Sequence, residues 1–117
     1  MKIILDTDFL VNAVKYKIDI DEELKRNLDS TFDIFIIDKT IDELKGINNL
    51  NSKIAIKLIN FKQYKILKTK KDKIVDELIK DIAKKEDIVA TQDKELKREL
   101  NKKFIKTISI RQKKYIQ

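Results

Sequence analysis

The chain has no histidine, no cysteine, no proline and no tryptophan, and only one glycine, Gly46, in 117 residues. Each absence removes a class of chemistry or architecture. Without histidine there is no Ser-His or Cys-His nucleophile pair and no imidazole general base. Without cysteine there is no disulfide, and a tetrahedral zinc site of the usual N/S type is excluded. What remains is carboxylate chemistry with Mg²⁺ or Mn²⁺, lysine chemistry, or no chemistry at all. With so little glycine and proline, connections must be tight or made with Asn and Asp. No long apolar run stands in the chain, and its start lacks a basic and then apolar stretch. Neither a membrane span nor a secretion signal is therefore expected, and the expected compartment is the cytoplasm.

Enough apolar material is present for a core. Hydrophobic residues make up 42% of the chain, as in ordinary globular proteins, and the length suits a single domain spanning residues 1–117. Charged residues reach 40%, well above the usual quarter. Ile, Leu and Val nevertheless recur periodically throughout, which argues against disorder. Lys and Arg outnumber Asp and Glu by 27 to 20, a net charge of +7. Such an excess favours polyanionic partners, with RNA or DNA ahead of a membrane. On composition alone, a Lys-rich solvated surface explains it slightly better.

The apolar pattern alternates between strand and helix. Lys2–Leu5 reads as a short buried strand that delivers Asp6 at its end. Phe9, Leu10, Ala13 and Val14 follow at helical spacing, and Asp19–Asp29 has its acids first and its bases later, as a helix dipole prefers. Phe32–Ile37 is a second strand. A helix then starts at Asp38–Thr40 and stops at Gly46. Asn48, Asn49 and Asn51 mark a loop. Ile54–Phe61 and Ile74–Ala83 read as helices, Tyr64–Leu67 as an edge strand and Ile88–Ala90 as a strand leading to Thr91 and Asp93. Glu95–Leu100 is helical, Phe104–Ile110 a last strand, and Arg111–Gln117 a basic tail. The order β-α-α-β-α-α-β-α-β-α-β predicts an α/β protein, a mostly parallel sheet with helices on both faces.

Four acidic residues stand where strands give way to helices: Asp6, Glu43, Asp76 and Asp93. In open parallel sheets, ligands sit outside the carboxyl ends of the strands. Carboxylates converging there repel one another and are normally held by a divalent cation. Such a site suits phosphodiester cleavage, because Mg²⁺ takes one or two carboxylates, keeps waters and accepts phosphate oxygens. Each residue also has a local structural reading. Asp6 and Asp93 suit helix N-caps, Glu43 stands at capping-box spacing from Thr40, and Asp76 gains from a helix dipole. Singly, the structural reading is the better one for Glu43 and Asp76 and the two readings are even for Asp6 and Asp93. Together, the cluster is the better reading.

The runs IILDTDFLV, IIDKTIDELKGI, VDELIKDIA and IVATQDKELKREL resemble a PIN domain, the small metal-dependent ribonuclease fold, over nearly the whole chain. The ending RQKKYIQ resembles that of archaeal stand-alone PIN proteins, which are similar to a nuclease of small-subunit ribosomal RNA processing. The resemblance implies a three-layer α/β/α sandwich, an acidic pocket for Mg²⁺ or Mn²⁺, and endonucleolytic cleavage of single-stranded RNA. It puts Asp6, Glu43, Asp76 and Asp93 at the family's four carboxylate positions, with the Thr91 hydroxyl supporting them. Two positions depart from the pattern. Asp8 stands where the family often has Asn and adds a negative charge beside the pocket, and Gln92 replaces an Asn before Asp93.

Phosphate contacts are expected from Lys94, Lys97, Arg98, Lys102, Lys103, Arg111, Lys113 and Lys114, and base stacking from Tyr16 and Tyr115. A Lys/Glu-mixed helix is equally read as a solvated face. Within the ribonuclease reading, the RQKKY ending favours ribosomal RNA maturation or RNA quality control over a VapC-type toxin with an antitoxin partner. The alternatives are a non-catalytic RNA-binding or assembly module and, more weakly, a phosphatase-like or receiver-like protein. The resemblance also implies a homodimer, for which Ile54–Phe61 offers an apolar face.

Overall fold

The computed structural model describes the whole chain, Met1–Gln117. Five parallel strands form the central sheet: β1 (Lys2–Leu5), β2 (Asp33–Ile37), β3 (Lys65–Leu67), β4 (Ile88–Ala90) and β5 (Lys106–Ile108). Their spatial order is β3-β2-β1-β4-β5. The strands are short and rich in Ile, Leu and Val because they are covered on both faces, as parallel strands require. In β1, Ile3 and Leu5 point into one core and Ile4 into the other, all fully buried.

Helices α1 (Thr7–Lys15), α2 (Ile20–Asn27), α3 (Asp38–Ile47) and α4 (Leu50–Lys62) contribute to the larger core, through Phe9, Leu10, Leu24, Leu44 and Ile59. On the other face, α5 (Val75–Ile82) and α6 (Lys94–Lys102) bury Leu78, Ile79, Leu96 and Leu100 against Ile4, Ile37 and Val89. The result is the expected three-layer α/β/α sandwich. No helix is long and apolar enough to cross a membrane.

Three local expectations are corrected. First, α3 does not stop at Gly46. It continues to Ile47, and the left-handed residue that ends it is Asn48, at φ 51° and ψ 44°. Second, the Asn-rich stretch is scarcely a loop. Asn49 caps α4 in a capping box with Ser52, and Asn51 already lies inside that helix. Third, Phe104–Ile110 is not one strand. The chain leaves the sheet at Ser109, and Ile110–Arg111 (β6) pairs antiparallel with Tyr115–Ile116 (β7) in a terminal hairpin. The basic tail is thus folded.

Candidate active site

β1 and β4 are hydrogen-bonded neighbours, with Leu5 opposite Ala90. Strand order runs outward in opposite directions from this pair, so a ligand crevice is expected at their carboxyl ends. Asp6 and the Thr91–Asp93 loop both emerge there, and the Asp6 N–H donates to the Ala90 carbonyl at 2.9 Å. Two acids 87 positions apart in sequence are brought together by that pairing.

Asp6 is 2% exposed. Its Oδ1 accepts from the Thr7 N–H at 2.8 Å and its Oδ2 from the Thr91 hydroxyl at 2.8 Å. Burial nevertheless pushes its pKa up to about 7; the Thr91 hydrogen bond opposes that shift and the Asp76 charge adds to it. Asp76, half-buried in the first turn of α5, is pushed up to about 6 by burial and then by the neighbouring Asp93 carboxyl. Asp93 caps α6, its Oδ1 accepting from the Glu95 and Leu96 N–H groups at 2.9 and 3.1 Å. Those donors, Leu96 foremost, hold it below the usual carboxylate range. Asp76 and Asp93 thus titrate as an interacting pair, their charges raising the cost of ionising both.

Glu43 plays a different part from the capping box expected with Thr40. The N-cap of α3 is Ile37, and the buried Thr40 hydroxyl has no partner. Glu43 instead accepts from the Thr7 hydroxyl at 2.8 Å and the Val75 N–H at 3.3 Å. It joins the starts of α1 and α5, and so holds Asp6 and Asp76 on one pocket. Asp8 belongs to the same field. Its pKa is raised by partial burial and then by Asp93 and Glu43.

None of these five carboxylates makes an ion pair with a Lys or Arg. No three of them are grouped closely enough to ligate one ion among themselves. Mg²⁺ does not need three, since one or two carboxylates with waters and phosphate oxygens complete its shell. An all-oxygen donor set with no direct Lys or Arg ion pair fits a hard divalent cation.

Sequence reasoning missed two supports. Asp38 accepts from the Thr69 N–H and hydroxyl at 2.8 and 2.6 Å, tethering the segment that leads into α5. Lys80 lines a cleft of about 200 Å³ with Ile74, Asp76, Asp93 and Glu99, and is held there by Glu77 and Glu99 at 2.8 and 2.7 Å. Only side chains arriving from distant elements reveal these contacts. A roomier hollow, about 480 Å³, opens beside Asp33 and Lys65 at the amino ends of β2 and β3, the wrong end of the sheet for a crevice ligand.

Of the expected RNA contacts, Lys94, Lys97, Arg98 and Lys102 share one exposed face of α6 with Asn101. Arg111 stands close enough to Lys97 to help lower its pKa, an effect led by burial. Lys113 and Lys114 lie in the terminal hairpin, where Tyr115 pairs with Arg111. Lys103 turns away from the pocket, towards the Lys80 carbonyl.

Comparison with known proteins agrees with this geometry. Residues 3–113 match the family described as "PIN like domain". Over 125 aligned positions the chain is 36% identical to Ribonuclease VapC4 of Methanocaldococcus jannaschii, covering 99% of this chain and 95% of that protein. Its structure is similar to that of the PIN domain endonuclease Utp24, with a TM-score of 0.80 and 25% identity, covering 98% of this chain and 88% of that one.

Proposed function

The chain belongs to the PIN-like domain family, and from that premise we propose that it is an endoribonuclease that cleaves single-stranded RNA with Mg²⁺ or Mn²⁺. The observation that carries this reading is the gathering of Asp6, Asp8, Glu43, Asp76 and Asp93 at the β1/β4 crevice with none of them in an ion pair with Lys or Arg. The 36% identity to a ribonuclease supports it. One or two of Asp6, Asp76 and Asp93 would hold the cation, with waters and phosphate oxygens completing its shell and Glu43 and Asp8 beside them. A divalent ion bound there polarises the scissile phosphate and lowers the pKa of an attacking water.

The protein's own groups do the rest. Thr7 and Thr91 fix the Asp6 carboxylate so that it does not swing away from the crevice. Thr91 also accepts from the Asp93 N–H at 3.1 Å, so a single hydroxyl aligns both acids. The cations of α6 would receive the RNA backbone beside the pocket.

For biological role we place the protein in ribosomal RNA maturation or RNA quality control in the cytoplasm, on the strength of its RQKKYIQ ending. A toxin paired with an antitoxin is the second reading, favoured by the identity to a VapC ribonuclease.

The test is cleavage of end-labelled single-stranded RNA with Mn²⁺, Mg²⁺ or EDTA. Cutting should require metal and fall about 100-fold or more in Asp6→Asn and Asp93→Asn. Equal cutting by wild type and variants rejects this site. RNA binding with no cleavage under any metal instead indicates a non-catalytic module. Induction in cells separates the two roles. Growth arrest relieved by a neighbouring small protein means toxin, and unprocessed ribosomal RNA on deletion means maturation.

A further inference from the structure

The last residues of the chain are fastened more firmly than a tail requires. The Gln92 side chain grips β6 from the Thr91–Asp93 loop, its Oε1 accepting from the Ile110 N–H at 2.6 Å and its Nε2 donating to the Ile110 carbonyl at 3.3 Å. From α2, the buried Glu23 carboxylate accepts from the Ile116 N–H at 3.1 Å, and Asn27 donates to the Ile116 carbonyl at 2.6 Å. Between the strands, the Lys114 N–H closes a turn onto the Arg111 carbonyl at 3.0 Å. That turn holds Gln112 and Lys113 at φ 53° and 57°. Two successive left-handed residues favour Asn and Gly, and other L side chains are strained there. The clamps hold a strained turn in place.

What the turn presents is charge. The Lys113 ammonium lies 5.6 Å from the centre of the Tyr16 ring, and the Lys15 ammonium lies 5.4 Å from the same point. Lys15 has a local explanation, since a cation suits the last turn of α1. Lys113 has none, because it arrives from the other end of the chain. Neither is paired with a carboxylate, and nor are Arg111 and Lys114. Two ammonium groups on one ring repel each other. A phosphate relieves that repulsion by drawing the ammonium groups to itself, and the partly exposed Tyr16 ring then offers a face to a base.

We propose that Lys15, Tyr16 and Lys113 form a nucleotide subsite for single-stranded RNA, the two lysines on a phosphate and a base stacked on the ring. The proposal rests on the ribonuclease reading above, which supplies the strand. Asp6 caps the start of α1 and Tyr16 its end, about 15 Å apart at the helical rise. The subsite therefore takes a nucleotide a few positions from the scissile bond. Gln92 couples it rigidly to the loop that carries Asp93.

The test is fluorescence anisotropy of a short, labelled single-stranded RNA on the full chain in EDTA, across a range of salt. Tyr16→Leu should weaken binding about tenfold, whereas Tyr16→Phe retains the ring and should bind as wild type does. Lys113→Gln should weaken binding and flatten the slope of log affinity against log salt by about 0.7. In the presence of metal, these variants should raise KM on long RNA. Their kcat on trinucleotides too short to reach Tyr16 should not change. Lys113 is exposed, so its variant tests the site even if Tyr16→Leu is unstable. Unchanged affinity in Lys113→Gln, with wild type binding and cutting normally, overturns the subsite and leaves the nuclease standing. A loss in Lys113→Gln with none in a folded Tyr16→Leu also overturns it, because the lysines then act as a diffuse cationic surface. Wild type that neither binds nor cuts RNA overturns the nuclease reading and the subsite together.

Discussion

The Asp6 carboxyl is enclosed between the Thr7 amide and the Thr91 hydroxyl, yet burial raises its pKa from 3.8 to about 7. Between those two values the native protein keeps a proton that the unfolded chain has released. The stability this group contributes is therefore complete below pH 3.8 and is lost as pH rises through 7. In EDTA, Asp6→Asn removes that loss. It should raise stability at pH 8 by roughly 2–4 kcal/mol, one pKa unit being about 1.4 kcal/mol. The advantage should shrink by more than half at pH 5. Thermal melting of both proteins at the two pH values checks it; a variant less stable than wild type at pH 8 contradicts it. Thr91→Val deletes the hydrogen bond that opposes the shift. The acid limb of its pH–rate profile should move to higher pH, and cleavage at pH 7 should fall about 10- to 100-fold.

At the scale of elements, the chain forms helix ends with almost no glycine. Lys17, Asn48, Gln63, Phe104 and others take positive φ, while Gly46 lies within α3 with ordinary φ. A Cβ added at Gly46 meets nothing within 4 Å. Gly46→Ala should therefore stabilise the protein by about 0.5–1 kcal/mol. Gln63→Gly, at the left-handed cap of α4, should do so by about 1 kcal/mol. Urea denaturation of both variants tests these values. Had Gly46 been the helix stop, its alanine variant would be the destabilised one.

Over the whole molecule, an acidic crevice adjoins cations on α6, of which Lys94, Lys97 and Lys102 have no carboxylate partner, and unpaired cations on the hairpin, in a chain of net charge +7. A strand of RNA can satisfy both, with its backbone on the cations and one phosphate at the carboxylates. KM for RNA should therefore rise steeply with salt while kcat stays level, each phosphate contact contributing about 0.7 to the log–log slope. Steady-state kinetics between low and physiological salt would measure it. A kcat that falls in parallel would place the salt effect on the pocket itself.

Much of this protein was legible from local pattern. Apolar runs such as KIIL and IVA identify buried strands, the spacing of Leu78 and Ile82 a helix face, and the lack of His and Cys the oxygen-only chemistry. These signals act within a turn or two of chain, so short sequence windows contain them. The family resemblance singled out the four acids but not what each of them touches. That came from contacts across the sheet: β1 beside β4 sets Asp6 against Thr91, and Glu43 reaches Thr7 and Val75. The helix stop at Asn48 and the hairpin turn at Gln112 and Lys113 were equally hidden: Asn48 takes the left-handed cap two residues beyond the glycine that the pattern favoured, and the strained turn is held by Gln92 and Glu23 from far along the chain. Sequence by itself determined most of the strands and helices and narrowed the chemistry to what carboxylates and lysines can do. Tertiary structure decided which charges face one another, because burial and Coulomb energy depend on distance in space and not on separation along the chain.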